Sequence, residues 1–221
     1  MKFFRDILFL VLISFIFVSC KKNREPEPVT FSGTILNNVT GLPVEGVNVI
    51  VKLQQASTNN VFNAGFATIA NTTTDANGNY AVTFTPENPI TYRIIVDKLY
   101  YFSKEAEFSD DLAPAGSTKD TDFGIDPLGW FKINIKNVAP NDADDNIIYQ
   151  NTSEVSGCSS CCNNSAISLD GMTIDTFFIC QRAAYPTITF SWFVTKNGNI
   201  APFSNSVSSI QGDTVVYNLN Y

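Results

Sequence analysis

The chain contains no histidine in its 221 residues. Without an imidazole it cannot form a Ser-His-Asp triad, a Cys-His pair or a histidine-ligated zinc site, and it lacks the usual general base near neutral pH. It also has no glycine-rich phosphate loop and no Ser-x-x-Lys motif. A carboxylate-only glycosidase needs no histidine, but its two catalytic acids lie in a cleft of a much larger scaffold. We therefore expect a protein that is not an enzyme and holds no cofactor.

Lysine, glutamate and leucine are sparse, whereas Asn, Thr, Ser, Val, Ile and Phe dominate. This composition favours strands and turns over helices. Basic residues are in the minority, with 14 Lys and Arg against 21 Asp and Glu. Without residues 1–19 the balance is 12 against 20, which is a net charge of −8. An acidic surface repels phosphate backbones, so we expect no nucleic-acid partner.

An apolar run, residues 7–18, follows Lys2 and Arg5 and stops at Ser19 and Cys20. Its twelve residues would span only about 18 Å as a helix, well short of the roughly 30 Å hydrocarbon core of a bilayer. A positive start, a short apolar segment and a small residue before the cleavage point are typical of a secretory signal. Residues 1–20 are therefore predicted to direct export.

The end of this signal resembles the lipobox of bacterial lipoproteins, in which the cysteine after the cleavage point is lipidated. Ser19 is the small residue that the family requires before Cys20, whereas Phe17 and Val18 depart from its preferred Leu and Ala or Ser. The resemblance implies a lipid anchor at Cys20, with more than one acyl chain and hence stable membrane attachment. An ordinary cleaved signal with a free thiol, or an uncleaved anchor, is the alternative.

Residues 21–28, KKNREPEP, are charged and proline-containing, with nothing apolar to bury. Such a segment is expected to be an extended tether with a reach of about 25 Å. Lys21 differs from the aspartate that retains some lipoproteins in the inner membrane. We therefore expect an outer-membrane location, on either the periplasmic or the cell-surface side.

Residues 29–126 show alternation of apolar and polar residues, without sustained helical periodicity. The cleanest example is the series Val47, Val49, Val51 and Leu53, which indicates a strand with one buried face. Residues 75–79, DANGN, have turn chemistry. A calcium loop is the weaker reading of that segment, because it lacks the downstream glutamate of an EF-hand. The module is predicted to be all-β.

Three segments of this module resemble the carboxypeptidase regulatory-like domain: residues 33–35 (GTI), 40–49 (TGLPVEGVNV) and 74–80 (TDANGNY). The resemblance implies a transthyretin-like, seven-stranded Greek-key sandwich in which Asn77-Gly78 closes a hairpin. The carboxypeptidase activity of that family resides in a separate zinc domain, so the resemblance implies no activity here.

Residues 127–221 are predicted to form a second β-sandwich, after a short junction at residues 127–129. Alternation at Phe131, Ile133 and Ile135 indicates one strand, and residues 172–183, 187–195 and 215–219 supply others. Trp192 shares an apolar face with its neighbours and is expected in the core. An immunoglobulin-like sandwich is the predicted fold, which makes the whole chain two tandem β-sandwich domains.

Three aromatic residues are candidates for contact with a ligand. Trp130 falls on the polar side of its strand, and in Tyr100-Tyr101-Phe102 at least one ring must face outward if the segment is a strand. Trp130, Tyr100 and Tyr101 would then contact a sugar ring or a protein. The alternative for Trp130, which we favour, is packing between the two domains, and the alternative for the tyrosines is packing against a neighbouring loop.

Four cysteines remain after Cys20, and an even number in an exported chain indicates disulfides. Pairing adjacent Cys161 and Cys162 would be strained. This leaves Cys158–Cys161 with Cys162–Cys180, or Cys158–Cys162 with Cys161–Cys180; a single bridge with two free thiols is also open. A zinc site of four thiolates is less favoured, because adjacent cysteines fit tetrahedral coordination poorly.

Asp142, Asp144 and Asp145 form the densest group of oxygen ligands. They are weak calcium candidates, since Asp and neighbouring Asn residues are also turn formers. We expect no bound metal.

Two functions fit these expectations. The first is a non-catalytic cell-envelope lipoprotein whose β-sandwich modules have a structural or protein-interaction role. The second is a glycan-binding lipoprotein that acts beside an outer-membrane nutrient transporter. We favour the first, because exposed aromatic side chains have a common structural explanation.

Overall fold

The structure of the protein, a computed structural model, describes residues 27–55, 65–153, 164–185 and 187–221. Those residues form fifteen β-strands and one short 3-10 helix, Asp110–Leu112, and none of them is in an α-helix. The strands assemble into four sheets that pack in pairs around two separate apolar cores. The predicted all-β fold class with two tandem sandwiches is confirmed.

The first sandwich consists of eight strands: β1 (Val29–Asn37), β2 (Asn48–Gln55), β3 (Ala67–Thr73), β4 (Asn79–Phe84), β5 (Pro89–Asp97), β6 (Lys104–Ser109), β7 (Thr118–Asp120) and β8 (Phe123–Ile125). One sheet is antiparallel, with the order β3-β2-β5-β6. In the other sheet β1 pairs with β4, while β7 and β8 run parallel to successive halves of β1. Because β7 and β8 together fill one strand position, the layout is that of a seven-stranded sandwich.

The first core forms because each strand turns its apolar residues to one side. Val49, Val51 and Leu53 of β2 are almost completely buried, as the alternation predicts. They face Phe31 of β1 across the sandwich. Phe31 also packs edge-to-face on Tyr92 of β5, with ring centroids 5.5 Å apart.

The turn at residues 75–79 forms as predicted, but it does not close a hairpin. The Asp75 carboxylate accepts the backbone N–H groups of Asn77 and Asn79 at 2.9 and 2.8 Å. The strands on either side, β3 and β4, belong to different sheets. The hairpin prediction is therefore wrong. Turn residues specify that the chain reverses, but they do not specify that the two flanking strands pair with each other.

The second sandwich consists of seven strands: β9 (Leu128–Lys136), β10 (Asn146–Asn151), β11 (Ile167–Asp170), β12 (Asp175–Ala183), β13 (Thr187–Lys196), β14 (Asn199–Ser208) and β15 (Thr214–Asn220). One sheet has the order β12-β9-β15, with β15 parallel to β9. The other is antiparallel, with the order β11-β10-β13-β14. Strand β9 begins at Leu128, inside the predicted junction.

The second core lies between β9 and β13. Phe131, Ile133 and Ile135 of β9 are almost completely buried, and they face Phe190 and Trp192 of β13. The rings of Phe190 and Trp192 stack with centroids 5.8 Å apart. The predicted core position of Trp192 is confirmed.

Candidate functional site

Two of the predicted contact aromatics, Tyr100 and Trp130, meet at the junction of the two sandwiches. Their ring centroids are 6.4 Å apart with the planes at 87°, an edge-to-face contact. The Tyr100 ring also lies on Gly212, where an added Cβ would come within 3.0 Å of the ring. Contacts between the domains therefore cover part of both aromatic rings.

The backbone holds this junction in place. The carbonyl oxygen of Tyr100 accepts hydrogen bonds from the Leu128 N–H at 2.7 Å and from the Gln211 side-chain amide at 3.1 Å. The N–H of Trp130 donates to the Asp213 carbonyl at 2.9 Å. Tyr100 belongs to the first sandwich and the other residues to the second, so these bonds fix where Trp130 sits relative to the first domain.

Tyr101 has a different environment. It is half-buried and packs against the first core, and its hydroxyl accepts a hydrogen bond from the Asn37 amide at 3.4 Å. The adjacent residues Tyr100 and Tyr101 therefore have separate roles, one at the domain junction and one in the first sandwich.

Trp130 also belongs to a larger surface, the outer face of the β12-β9-β15 sheet. Cross-strand register places Lys132 between Ile179 of β12 and Val216 of β15. Phe177 lies two residues from Ile179 on the same side, and the Lys132 ammonium lies 4.4 Å from the centre of its ring. We call these five residues, Trp130, Lys132, Phe177, Ile179 and Val216, the Phe177 face.

Three apolar residues of the Phe177 face are open to solvent, and Lys132 lies between two of them. Phe177 is 56% exposed, Ile179 52% and Val216 51%. Polar pairs border the face on one side: the Lys136 ammonium lies 2.6 Å from the Asp175 carboxylate, and the Asn134 amide donates to Asn218 at 2.7 Å. Exposed apolar side chains around one cation, with polar pairs at the margin, are the composition of a binding surface rather than of an ordinary solvated sheet.

Trp130 is the only predicted contact residue on this face; Phe177, Ile179 and Val216 are not among the predicted contacts. The available signal was strand β12, which carries apolar residues on both sides: Phe178 and Cys180 point toward the core, and Phe177 and Ile179 point outward. An edge strand with two apolar sides exceeds what one core can bury.

Among the predicted disulfide candidates, only Cys180 lies within the described residues. It is half-buried on β12 and packs against the second core. Cys158, Cys161 and Cys162 lie outside the described residues, as does the lipid-anchor candidate Cys20. The connectivity of the cysteines stays a prediction.

The three calcium candidates do not converge. Asp145 is completely buried and accepts hydrogen bonds from the Asn141 N–H at 2.9 Å and the Asn137 amide at 2.8 Å. These two donors hold the pKa of Asp145 below its ordinary value, against the opposing effect of burial. Asp142 instead accepts the Asp144 N–H at 3.0 Å, in a local turn. Across the described ranges no three Asp, Glu, Cys or His side chains are grouped to hold a metal ion.

The predicted signal, residues 1–20, and most of the tether lie outside the described part of the chain. Within the part that is described, no helix has both the length and the apolar character needed to cross a membrane.

No protein-family model and no curated protein matches the chain. Among solved structures, the shaft pilin SpaA from Lactobacillus rhamnosus GG is similar over 88% of this chain and 96% of its own, with 10% identity and a TM-score of 0.33. The minor pilin GBS52 of Streptococcus agalactiae is similar over 86% of this chain and 94% of its own, with 12% identity and a TM-score of 0.34.

An enzyme is also among the similar structures. 3-Chlorocatechol 1,2-dioxygenase from Rhodococcus opacus 1CP has 12% identity and a TM-score of 0.34 over 48% of this chain, which spans 62% of the dioxygenase. TM-scores at this level are too low to support an inference about function.

Proposed function

We propose that this protein is a non-catalytic lipoprotein of the bacterial cell envelope, and that the Phe177 face binds another envelope protein. The observation that carries the proposal is the exposure of Phe177, Ile179 and Val216 on one face of the sheet, around Lys132. Burying such a patch against a partner contributes about 25 cal/mol per Å² of apolar surface removed from water.

The chemistry of the face indicates what kind of surface it binds. Lys132 lies at the centre, and no carboxylate of the described residues forms an ion pair with it. In an acidic chain, a cation among apolar side chains favours a partner that presents apolar residues around one carboxylate.

Glycan binding is the second candidate function, and the nearness of Tyr100 to Trp130 is the observation that favours it. Tyr100 is 43% exposed, and two adjacent aromatic rings are a common platform for sugars. Trp130, however, meets Tyr100 at its edge instead of lying beside it in one plane. A protein partner therefore accounts better for the whole face, because its exposed apolar residues are Phe177, Ile179 and Val216.

The lipid anchor is the second part of the proposal. It rests on the short apolar segment before Cys20 and on the resemblance to the lipobox. The residues described begin at Glu27, near the end of the predicted tether, whose expected reach of about 25 Å would hold the first sandwich clear of lipid head groups.

Membrane fractionation tests the anchor. Cys20→Ser is expected to move the protein from the membrane fraction to the soluble fraction, whereas Cys180→Ser is the matched control and is expected to stay with the membrane. Equal membrane retention of both variants would contradict lipid attachment through Cys20. Protease treatment of intact cells then reports which side of the outer membrane the sandwiches face.

Affinity purification from cross-linked envelopes tests the face. Phe177→Ser and Val216→Ser are each expected to reduce recovery of the partner about tenfold, since central apolar residues carry most of the energy of an interface. Ile200→Ser is the control, because Ile200 is 69% exposed on β14 and lies outside the face. A partner recovered equally with all three variants would exclude this face as its binding site.

A further inference from the structure

A buried polar cluster lies at one end of the second sandwich. Asn137 directly follows β9, Asp145 directly precedes β10, and Lys196 is the last residue of β13. Asn137 is 7% exposed and Asp145 is completely buried, while 24% of the Lys196 side chain is exposed. The three side chains come from both sheets of the sandwich and meet where the sheets separate.

Their geometry brings an amine, an amide and a carboxylate into a closed arrangement. The Lys196 Nζ donates to Asn137 Oδ1 at 2.9 Å. The Nδ2 of the same amide donates to Asp145 Oδ2 at 2.8 Å, and Lys196 Nζ lies 4.0 Å from that oxygen. The carboxylate is therefore close to both the amine and the amide nitrogen.

The surroundings shield the carboxylate end of this cluster from water, and Asp145 itself is completely buried. The Tyr221 ring lies 5.1 Å from Lys196 Nζ, which also donates to the Ala139 carbonyl. Asp145 Oδ1 and the Tyr221 hydroxyl are buried and have no hydrogen-bond partner among the described residues. A network built only for stability would not be expected to leave a buried carboxylate oxygen unpaired, because such an atom costs free energy.

We propose that Lys196 and Asn137 form an intramolecular amide bond, with Asp145 as the group that moves the proton. Asp145 accepts a proton from the Lys196 ammonium, and the neutral amine attacks Cγ of Asn137. The Nζ–Cγ bond forms, Asp145 passes its proton to Nδ2, and the Cγ–Nδ2 bond breaks. Nζ loses its second proton to the departing ammonia, which therefore leaves as ammonium. Asp145 ends as a carboxylate.

The fold supplies what this reaction needs. Uncatalysed attack of an amine on an amide is slow, but holding the two groups in contact replaces a bimolecular encounter with an intramolecular one. A carboxylate that is hydrogen-bonded to the amide nitrogen and lies 4.0 Å from the amine can provide acid-base catalysis without histidine once the amine closes the remaining gap. The product would cross-link the end of β13 to the segment after β9, and so join the two sheets of the second sandwich.

Tryptic peptide mapping of the reduced and alkylated full-length protein tests the bond. The only trypsin sites from Lys136 onward are Lys136, Arg182 and Lys196. The proposal predicts that residues 137–182 are covalently joined to residues 183–221, with the mass of one ammonia missing and no cleavage after Lys196. Separate peptides 183–196 and 197–221, without a joined species after prolonged incubation of the folded protein, would overturn it.

Two variants test which residues carry out the proposed reaction. Lys196→Arg keeps a cation but removes the nucleophile, and it is expected to abolish the joined species while leaving the circular dichroism spectrum unchanged. Asp145→Asn is expected to reduce the yield of the joined species at least about tenfold at a fixed time, as for loss of an acid-base group. An undiminished yield in Asp145→Asn would overturn the role of Asp145, and a bond in Lys196→Arg would overturn the assignment of the nucleophile.

Discussion

The two sandwiches bury similar cores but cover them differently. On the outer side of the β3-β2-β5-β6 sheet, Arg93 pairs with Glu107 and lies 4.0 Å from Glu105. On the outer side of the β12-β9-β15 sheet, Phe177 and Ile179 are open to solvent instead. The outer side of the first sheet carries paired charges and that of the second carries exposed apolar residues. This difference is the reason why we propose the second sandwich as the one that binds a partner.

The largest expected loss of stability follows removal of a buried ring, and it should be confined to the sandwich that contains the ring. Phe190→Ala is expected to lower the free energy of unfolding of the second sandwich by about 3–5 kcal/mol, because a buried ring is replaced by a cavity. Phe31→Ala is the matched change in the first sandwich. Native-state hydrogen exchange should show lost protection in β13 for the first variant and in β2 for the second. Equal loss in both sandwiches from either variant would mean that they unfold as one unit.

Two glycines of the first sandwich differ in how closely their surroundings pack. Gly78 and Gly41 have similar positive φ angles, 74° and 68°, but an added Cβ would lie 2.6 Å from the Ile35 carbonyl at Gly78 and would meet nothing within 4 Å at Gly41. We expect Gly41→Ala to cost about 1 kcal/mol from φ alone and Gly78→Ala about 3 kcal/mol. Urea denaturation of the two variants measures the difference, and equal losses would contradict the close packing at the turn.

The stability of the second sandwich at alkaline pH tests whether Tyr149 is buried in its core. Burial raises the pKa of Tyr149 from 10.0 to about 12, since the phenolate is poorly solvated there. Tyr149 ionises at a lower pH in the unfolded chain than in the folded protein. The contribution of this shift to the free energy of unfolding therefore keeps its full value below pH 10 and falls by about 2–3 kcal/mol as the pH rises from 10 towards 12. Tyr149→Phe should remove this part of the pH dependence, whereas an unchanged alkaline profile would show that Tyr149 is not protected from solvent.

The smallest expected change in stability is at the Phe177 face. Phe177→Ser is expected to alter the free energy of unfolding by no more than about 0.5 kcal/mol, because the side chain is 56% exposed. Thermal denaturation measures this, with Glu107→Gln on the first sandwich as the polar counterpart. A loss above about 2 kcal/mol at Phe177 would mean that its ring stabilises the sheet instead of serving a partner.

Strands with one buried side could be predicted from the sequence, and strands without one could not. The alternation at Val49, Val51 and Leu53 predicted β2 because each apolar residue faces the same core. Strand β14 was missed although Asn197-Gly198, with φ angles of 52° and 69°, is a strong hairpin signal. Nearly every residue of β14 is exposed, so it has no alternation to detect.

The sites were less predictable because they depend on contacts between distant parts of the chain. Trp130 could be placed on the polar side of its strand, but its contact with Tyr100 follows from how the two domains meet. Asn137 and Lys196 are 59 residues apart and carry no local motif. Asp145 was identified as a weak metal ligand, whereas the structure turns its carboxylate toward Asn137.

Site-specific photo-cross-linking in living cells tests the proposed role of the Phe177 face most directly. A photoreactive residue would replace Ile179 on the face, Ile200 on β14 or Ile95 on the outer side of the first sandwich. One reproducible protein adduct is expected from position 179 and none from positions 200 and 95. No adduct at 179, or the same adduct from all three positions, would contradict the proposed role of this face.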